Sequence, residues 1–252
     1  MSSSIVDIEQ VRKFWDQRPC NIRHSNKEVG SENWSREVTR RKYFVEPHIP
    51  RFAQFSRWRN KNVLEIGCGI GTDSLQFISN GALLDAVDVS EKSLEIAKSR
   101  CLGKGKGVFI VTNAEEWLPP VRYDLVYTFG VLHHTPHPER IIEKVRERLR
   151  KSGEFRLMLY AKWSIKNLTR QQREAQKGCP LARTYTKKSV KKLLQGFEIV
   201  SIEKTHIFPW RIKDYLEHRY VASWYYSWMP SWLFRTLESL LGWHLLIVAK
   251  KI

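Results

Sequence analysis

Residues 63–73 read VLEIGCGIGTD: an apolar run, an acid at Glu65, glycines at Gly67, Gly69 and Gly71, and a second acid at Asp73. The run KNVLEIG is short, apolar and stopped by glycine, which predicts a buried strand, and TDSLQFISN behind it has the pattern of a helix. Three glycines at a strand-to-helix turn let the backbone pass close to a ligand without side-chain collision, and a nucleotide is the usual ligand there. The spacing is GxGxG, not the GxGxxG that seats a pyrophosphate on a helix N-terminus. Glu65 and Asp73 would repel a pyrophosphate, whereas both suit a ligand carrying an ammonium and a sulfonium.

S-adenosylmethionine is a ligand of that kind. The next predicted strand, ALLDAVDV, brings Asp88 to a point 21 residues after Gly67, where a carboxylate can accept both hydroxyls of a ribose. SEKSLEIAKSRC then reads as a helix capped by Ser90. VFIVTN, YDLVYTFG and EFRLMLYA give strands three to five, and PERIIEKVRERLRKSG gives a helix before the fifth that Gly153 would end. YTKKSVKKLLQG is a helix capped by Thr186, FEIVSIEKTH a sixth strand and HLLIVAKK a seventh. Repeated strand–helix units predict an α/β, Rossmann-like sheet of seven strands, covered on both faces, over residues 61–252. Residues 207–243 form an aromatic insertion between strands six and seven, with five of the ten tryptophans.

Ahead of the sheet, Ile5, Ile8, Val11, Phe14 and Trp15 fall at helical spacing and Pro19 closes that segment. A basic loop, RPCNIRHS, leads into REVTRRKYFVEPHIPRFAQF, a helix interrupted near Pro47 and Pro50. Residues 1–60 therefore read as a helical cap. MSSSIVDIEQ has no apolar run suited to secretion and LLGWHLLIVA is too short to cross a bilayer, which predicts a cytoplasmic protein. The four cysteines lie far apart without a CxxC pair and read as reduced thiols. The formal charge of +17 divides into +5 for residues 1–60, +1 for 61–160 and +11 for 161–252. That asymmetry suits an anionic surface or substrate at the last third, or a solvated basic face.

The combination of ExGxGxG after the first strand, Asp88 after the second, NAE at 113–115 and FGVLHHTPHPER after the fourth resembles the class I S-adenosylmethionine-dependent methyltransferases. The subgroup it is most similar to includes ubiquinone- and menaquinone-biosynthesis-like enzymes, over about residues 60–206 and the closing strand. The resemblance implies S-adenosylmethionine as cofactor and S-adenosyl-L-homocysteine as product. It implies that Gly67, Gly69 and Gly71 pass beneath the methionine part, that Glu65 orients it and that Asp88 holds the ribose. Val89 would flank the adenine, Asn113, Ala114 and Glu115 would meet its amino group, and Gly130 would complete the cofactor site.

Methyl transfer is an in-line displacement that needs alignment and, for a hydroxyl or carbon acid, removal of a proton. His133 and His134 are the candidate catalytic residues. HHTPH is not read as a metal site, because Pro136 and Pro138 break the ligand geometry, and Cys179 is read as a small loop residue. Arg18, Arg23, His24, Arg41 and Tyr43 in the cap, with Tyr160 and Tyr185, are candidates for gripping an acceptor. The expected function is methylation of a small-molecule or lipid-like, anionic acceptor. A nucleic-acid methyltransferase and a catalytically silent cofactor-binding scaffold are the alternatives. The crowded tryptophans and tyrosines suit the core of the insertion first, and otherwise a membrane interface or an apolar tunnel.

Overall fold

Strand β1 (Asn62–Ile66) directs alternate side chains to opposite faces, and both faces are covered. Leu64 and Ile66 enter one apolar cluster while Val63 enters the other. The computed structural model describes residues 6–169 and 178–252, so Ile5 and the middle of the basic connection before Gly178 lie outside the described residues. Strands β2 (Leu83–Asp88), β3 (Gly107–Val111), β4 (Tyr123–Phe129), β5 (Leu149–Tyr160), β6 (Phe197–Thr205) and β7 (His244–Lys251) complete a seven-stranded sheet of order β3-β2-β1-β4-β5-β7-β6. The first five strands are parallel, and β7 runs antiparallel between β5 and β6. Chain order reverses at β1, whose neighbours are β2 and β4, and open α/β sheets bind ligands at such a reversal.

Helix α1 (Ile8–Gln17), α2 (Glu32–Val45) and α3 (His48–Ala53) precede the sheet. Ser31 caps α2 by accepting from the Trp34 amide. Ile49, Phe52 and Ala53, with Phe55 and Trp58 just beyond, share one of the sheet's two apolar clusters. Helix α4 (Thr72–Ser79) follows the glycine turn, α5 (Glu91–Cys101) follows β2 with Ser90 as its cap, and α6 (Pro138–Arg148) follows β4 with proline in its first turn. The predicted extension of α6 to Gly153 is not observed: the helix stops at Arg148, and 149–153 belong to β5. Gly153 serves a close approach there, since a Cβ would lie 2.9 Å from the Tyr123 carbonyl oxygen, beside the register shift between β4 and β5.

After β5 come α7 (Ile165–Leu168) and α8 (Lys187–Leu193), the latter capped by Thr186 with Ser189 reciprocating. Between β6 and β7 lie three short helices, α9 (Ile212–Leu216), α10 (Trp224–Ser227) and α11 (Ser231–Leu241). These do not enclose the aromatic core expected of the insertion. Trp243 is buried, but Trp224, Trp228 and Trp232 are 71%, 87% and 69% exposed. Helices of five, four and eleven residues are too short to wrap an interior of their own.

One buried carboxylate joins the cap, the glycine turn and the sheet. Asp73 accepts from Lys42 Nζ and Tyr43 Oη of α2, each at 2.9 Å, and from Tyr127 Oη of β4 at 2.9 Å. Burial disfavours the Lys42 ammonium, but Asp73 together with Glu46 and Glu65 outweighs it and holds the amine above its usual range. Replacing Asp73 by Asn is expected to cost about 3–5 kcal/mol, because it leaves an ammonium buried without its counter-ion. Urea unfolding measures this. Adding Lys42→Met should restore part of the loss, and strict additivity of the two substitutions would show that the pair is not coupled.

Candidate cofactor cleft

At the reversal of chain order, the C-terminal ends of β1, β2 and β4 open into a cleft. Gly67, Gly69, Asp88, Val89, Asn113 and Ala114 line it on one side, and Phe129, Gly130, Val131 and His134 on the other. Ile8, Val11 and Trp15 of α1, with Cys20, form its roof. The space is about 800 Å³ including its open mouth. Helix α1 is fastened over it by Asp16, which accepts from Ser90 Oγ at 2.8 Å.

The glycines have different duties. At Gly67, with φ +73°, a Cβ would meet Val131 at 2.2 Å, so the turn and the loop after β4 pack backbone to side chain. At Gly69, with φ +52°, a Cβ would find open space, and this residue lines the cleft. Gly71 packs on Ala97 of α5 and is not part of the lining.

The Asp88 carboxylate is fixed by two backbone donors, Gly69 N–H to Oδ2 at 2.7 Å and Ser90 N–H to Oδ1 at 2.8 Å. Burial pushes its carboxyl up, and these amide bonds pull it back. Each oxygen keeps a further lone pair for hydroxyl donors. Glu65 stands behind the turn: it accepts from Ser74 Oγ of α4, and burial reinforced by Asp73 raises its carboxyl to about 8. Glu115 is likewise buried outside the lining, accepting from the His137 amide at 2.8 Å, while Asn113 Oδ1 accepts from the Glu115 amide at 3.0 Å. Asn113 and Ala114 thus face the cleft, and Glu115 sets the loop beside it.

The two adjacent histidines are separated by the fold. His134 lines the cleft, its Nδ1 lies 2.5 Å from the Leu181 carbonyl oxygen, and Trp15 of the roof packs edge-on against it. A carbonyl only accepts, so Nδ1 carries the proton and Nε2 the lone pair. Burial lowers the His134 pKa to about 4. His133 lies fully buried with its ring 3.6 Å from that of Tyr160, and neither ring nitrogen has a hydrogen-bond partner among the described residues. Cys179 Sγ sits 3.4 Å from His134 Nδ1, and burial raises its pKa, which keeps it a thiol.

The acceptor candidates divide in the same way. Arg18 and Arg23 are exposed. Tyr43 is committed to Asp73. Arg41 is buried, donates from Nη2 to the Tyr215 carbonyl oxygen, and lies 4.3 Å over the Tyr215 ring, yet its Nε and Nη1 have no hydrogen-bond partner among the described residues. His24 hydrogen-bonds the Tyr215 hydroxyl at 3.2 Å, and burial lowers its pKa to about 3. Tyr160 stacks on Trp243 at 4.3 Å, and the buried Tyr185 pairs with it through the backbone. Lys42, which neutralises Asp73, was not singled out from the sequence, where it is one of four basic residues in REVTRRK at 36–42.

Comparison with known proteins follows this geometry. The profile of a family described as "Methyltransferase domain" matches residues 63–153. The matched stretch contains the glycine turn, Asp88, Asn113–Glu115 and His133–His134, but neither the cap nor the insertion. The chain is similar to the ubiquinone biosynthesis O-methyltransferase of Idiomarina loihiensis, 32% identical over 98 residues, which are 38% of this chain and 40% of that protein. It is 35% identical over 96 residues to the enzyme of that name from Nitrosomonas europaea, covering 37% of this chain and 40% of the relative. The chain thus spans about two fifths of the length of these curated relatives. Among solved structures, magnesium protoporphyrin IX methyltransferase of Synechocystis PCC 6803 with bound SAH superposes with a TM-score of 0.65 at 15% identity, covering 98% of this chain and all of that one. At that identity the likeness is one of fold.

His133 gives this fold a pH dependence. Its folded pKa lies well below the ordinary value through burial, with His134 adding to the effect. The unfolded chain therefore takes up a proton near pH 6.5 that the folded chain refuses. Its contribution is complete above pH 6.5 and is lost as pH falls toward the depressed folded value. His133→Phe, which keeps a ring on Tyr160, is expected to reduce the slope of stability between pH 6 and pH 5 by about 1.4 kcal/mol per pH unit. Thermal unfolding across that range measures it, and an unchanged slope would mean that His133 titrates normally in the fold.

Proposed function

We propose that the protein is an S-adenosylmethionine-dependent methyltransferase acting on a small-molecule or lipid-like, anionic acceptor. The observation that carries this reading is the pairing of Gly69, open on the side of the cleft, with the fixed Asp88 carboxylate, under the roof of α1 and inside the stretch that matches the methyltransferase family. The residues present fit the cofactor: a carboxylate with lone pairs to spare suits a ribose, Val89 and Ala114 supply apolar walls for an adenine, and among the described residues no lysine or arginine lines the cleft to favour a pyrophosphate. When bound, this cofactor supplies a methyl group made electrophilic by a sulfonium.

The chain's own work is positioning. Asp88 holds two hydroxyls, the Gly69 turn admits the ligand's backbone-close approach, and α1 excludes water. In this reading His134 accepts a proton from an acceptor hydroxyl through Nε2, a role supported by its Nδ1 being tied to Leu181. An anionic acceptor is supported by Arg41, a buried guanidinium with unused donors that suit a carboxylate or phosphate. A lipid-like acceptor is supported by the exposed Trp224, Trp228, Trp232, Leu216 and Leu240 of the insertion, a surface suited to a membrane interface near the +11 last third. The relatives named for ubiquinone biosynthesis agree with a small-molecule acceptor.

Methyl-labelled cofactor incubated with the protein and with fractionated lipids, small acids and RNA tests this directly. Label is expected in the lipid or small-acid fraction. Label in RNA alone would favour the nucleic-acid alternative, and label in none would leave the silent scaffold. Asp88→Ala should weaken binding of S-adenosyl-L-homocysteine by about 2–4 kcal/mol in calorimetry, since two charge-assisted bonds are lost. Unchanged affinity in the folded variant would remove Asp88 from the site.

A further inference from the structure

Three histidines from distant parts of the chain converge beside the cleft. His48 opens α3, His206 follows β6 and His244 opens β7, and one ring nitrogen from each lies within 4.8 Å of the others. His48 Nε2 is 3.0 Å from His244 Nδ1, and the His206 ring stacks on that of His244 at 4.5 Å. Behind them, Glu46 Oε1 lies 3.8 Å from His244 Nε2. His206 holds a left-handed backbone, φ +73°, kept by its amide donating to Glu238 and its carbonyl accepting from the Trp243 amide. Such a conformation in a non-glycine residue is uncommon and is a recurrent feature of ligand sites.

We propose that His48, His206 and His244 bind one divalent transition-metal ion of the zinc or cobalt class, with Glu46 as the carboxylate that orients His244 from behind. Burial keeps all three imidazoles neutral, with His48 lowered to about 4 and the other two well below the ordinary value, so their lone pairs are available. Three imidazoles with an open fourth position form a familiar zinc set, and a carboxylate on the far nitrogen of a ligating histidine is its usual support. In a tetrahedral site, nitrogens stand about 3.4 Å apart, so the His48–His244 pair, now hydrogen-bonded at 3.0 Å, opens slightly to exchange that bond for the ion while His206 draws in by about 1 Å. The ion would pin the cap, the end of β6 and β7 together at the wall of the cleft, because the Phe129 ring, part of that wall, lies 6.0 Å from His48 and 5.6 Å from His244.

The neighbouring cations decide between a metal and an anion. Lys166 places its ammonium 4.8 Å from the Trp243 ring, burial lowers its pKa to about 8, and its charge acts on His206 and His244, while Arg51 acts on His48. Lys42 also acts on His48, and Glu46 opposes both lysines. Removing the Lys166 charge would therefore tighten a metal and loosen an anion.

The test uses the full chain stripped with EDTA and titrated with Co²⁺, followed by calorimetry and by the visible bands of tetrahedral cobalt. One ion per chain is expected. His48→Ala, His206→Ala and His244→Ala should each weaken binding more than about 100-fold, and Glu46→Gln about 10–100-fold. His206→Asn, which tolerates the left-handed backbone, replaces the alanine variant if that one fails to fold. Lys166→Met should tighten the ion, and Cys179→Ser should leave it unchanged. Absence of stoichiometric binding, loss of binding in Cys179→Ser, or weaker binding in Lys166→Met would overturn the site.

Discussion

Asp73 is the constraint on which the arrangement rests. A carboxylate 2% exposed is costly unless its charge is met, and it is met by Lys42, Tyr43 and Tyr127. Because those partners come from α2 and β4, the same interaction that satisfies the charge also fixes the cap relative to the glycine turn. Arg100 of α5 repeats the logic on the other side, donating to the Ile70 carbonyl and Thr72 in the turn and to Ser35 and Thr39 in α2. Trp34 and Val38 of α2 then close on Ile70. The cap is bound to the turn by charge first and by apolar packing second.

That constraint explains the division of labour at the cleft. With Asp73 neutralised and Glu65 bonded to Ser74 behind the turn, neither acid lies in the lining, and Asp88 supplies the carboxylate there. Its two amide donors come from the turn and from the start of α5, so the loop that admits a ligand also aims the group that would hold it. The roof is attached through Asp16 to Ser90, the same residue whose amide holds Asp88. Turn, carboxylate and roof thus share one short hydrogen-bonded chain.

The sheet was legible because its strands are short apolar runs broken by glycine and polar turns, and the seven strands fall where that pattern places them, except that β5 begins five residues early at Leu149. The error at Gly153 has a physical source: glycine after a basic helical stretch reads as a helix end, while the spacing of backbone from Tyr123 that requires it is a tertiary fact. The exposure of Trp228 was hidden for a similar reason, since composition records the aromatic residues but not the absence of a partner surface. Gly67, Gly69 and Asp88 could be read from spacing. The commitment of Glu65 to Ser74, the pairing of Asp73 with Lys42, and the meeting of His48, His206 and His244 could not, because their partners are set by the three-dimensional packing of segments up to 196 residues apart.

Hydrogen exchange of the intact protein with and without S-adenosyl-L-homocysteine tests the central claim, that a cofactor is held between the glycine turn and the roof. The account predicts added protection at residues 67–71, at 88–90 and along α1 together, because one hydrogen-bonded chain links them. Protection of the turn with α1 unchanged would contradict the roof. No protection at either would contradict the cofactor site itself.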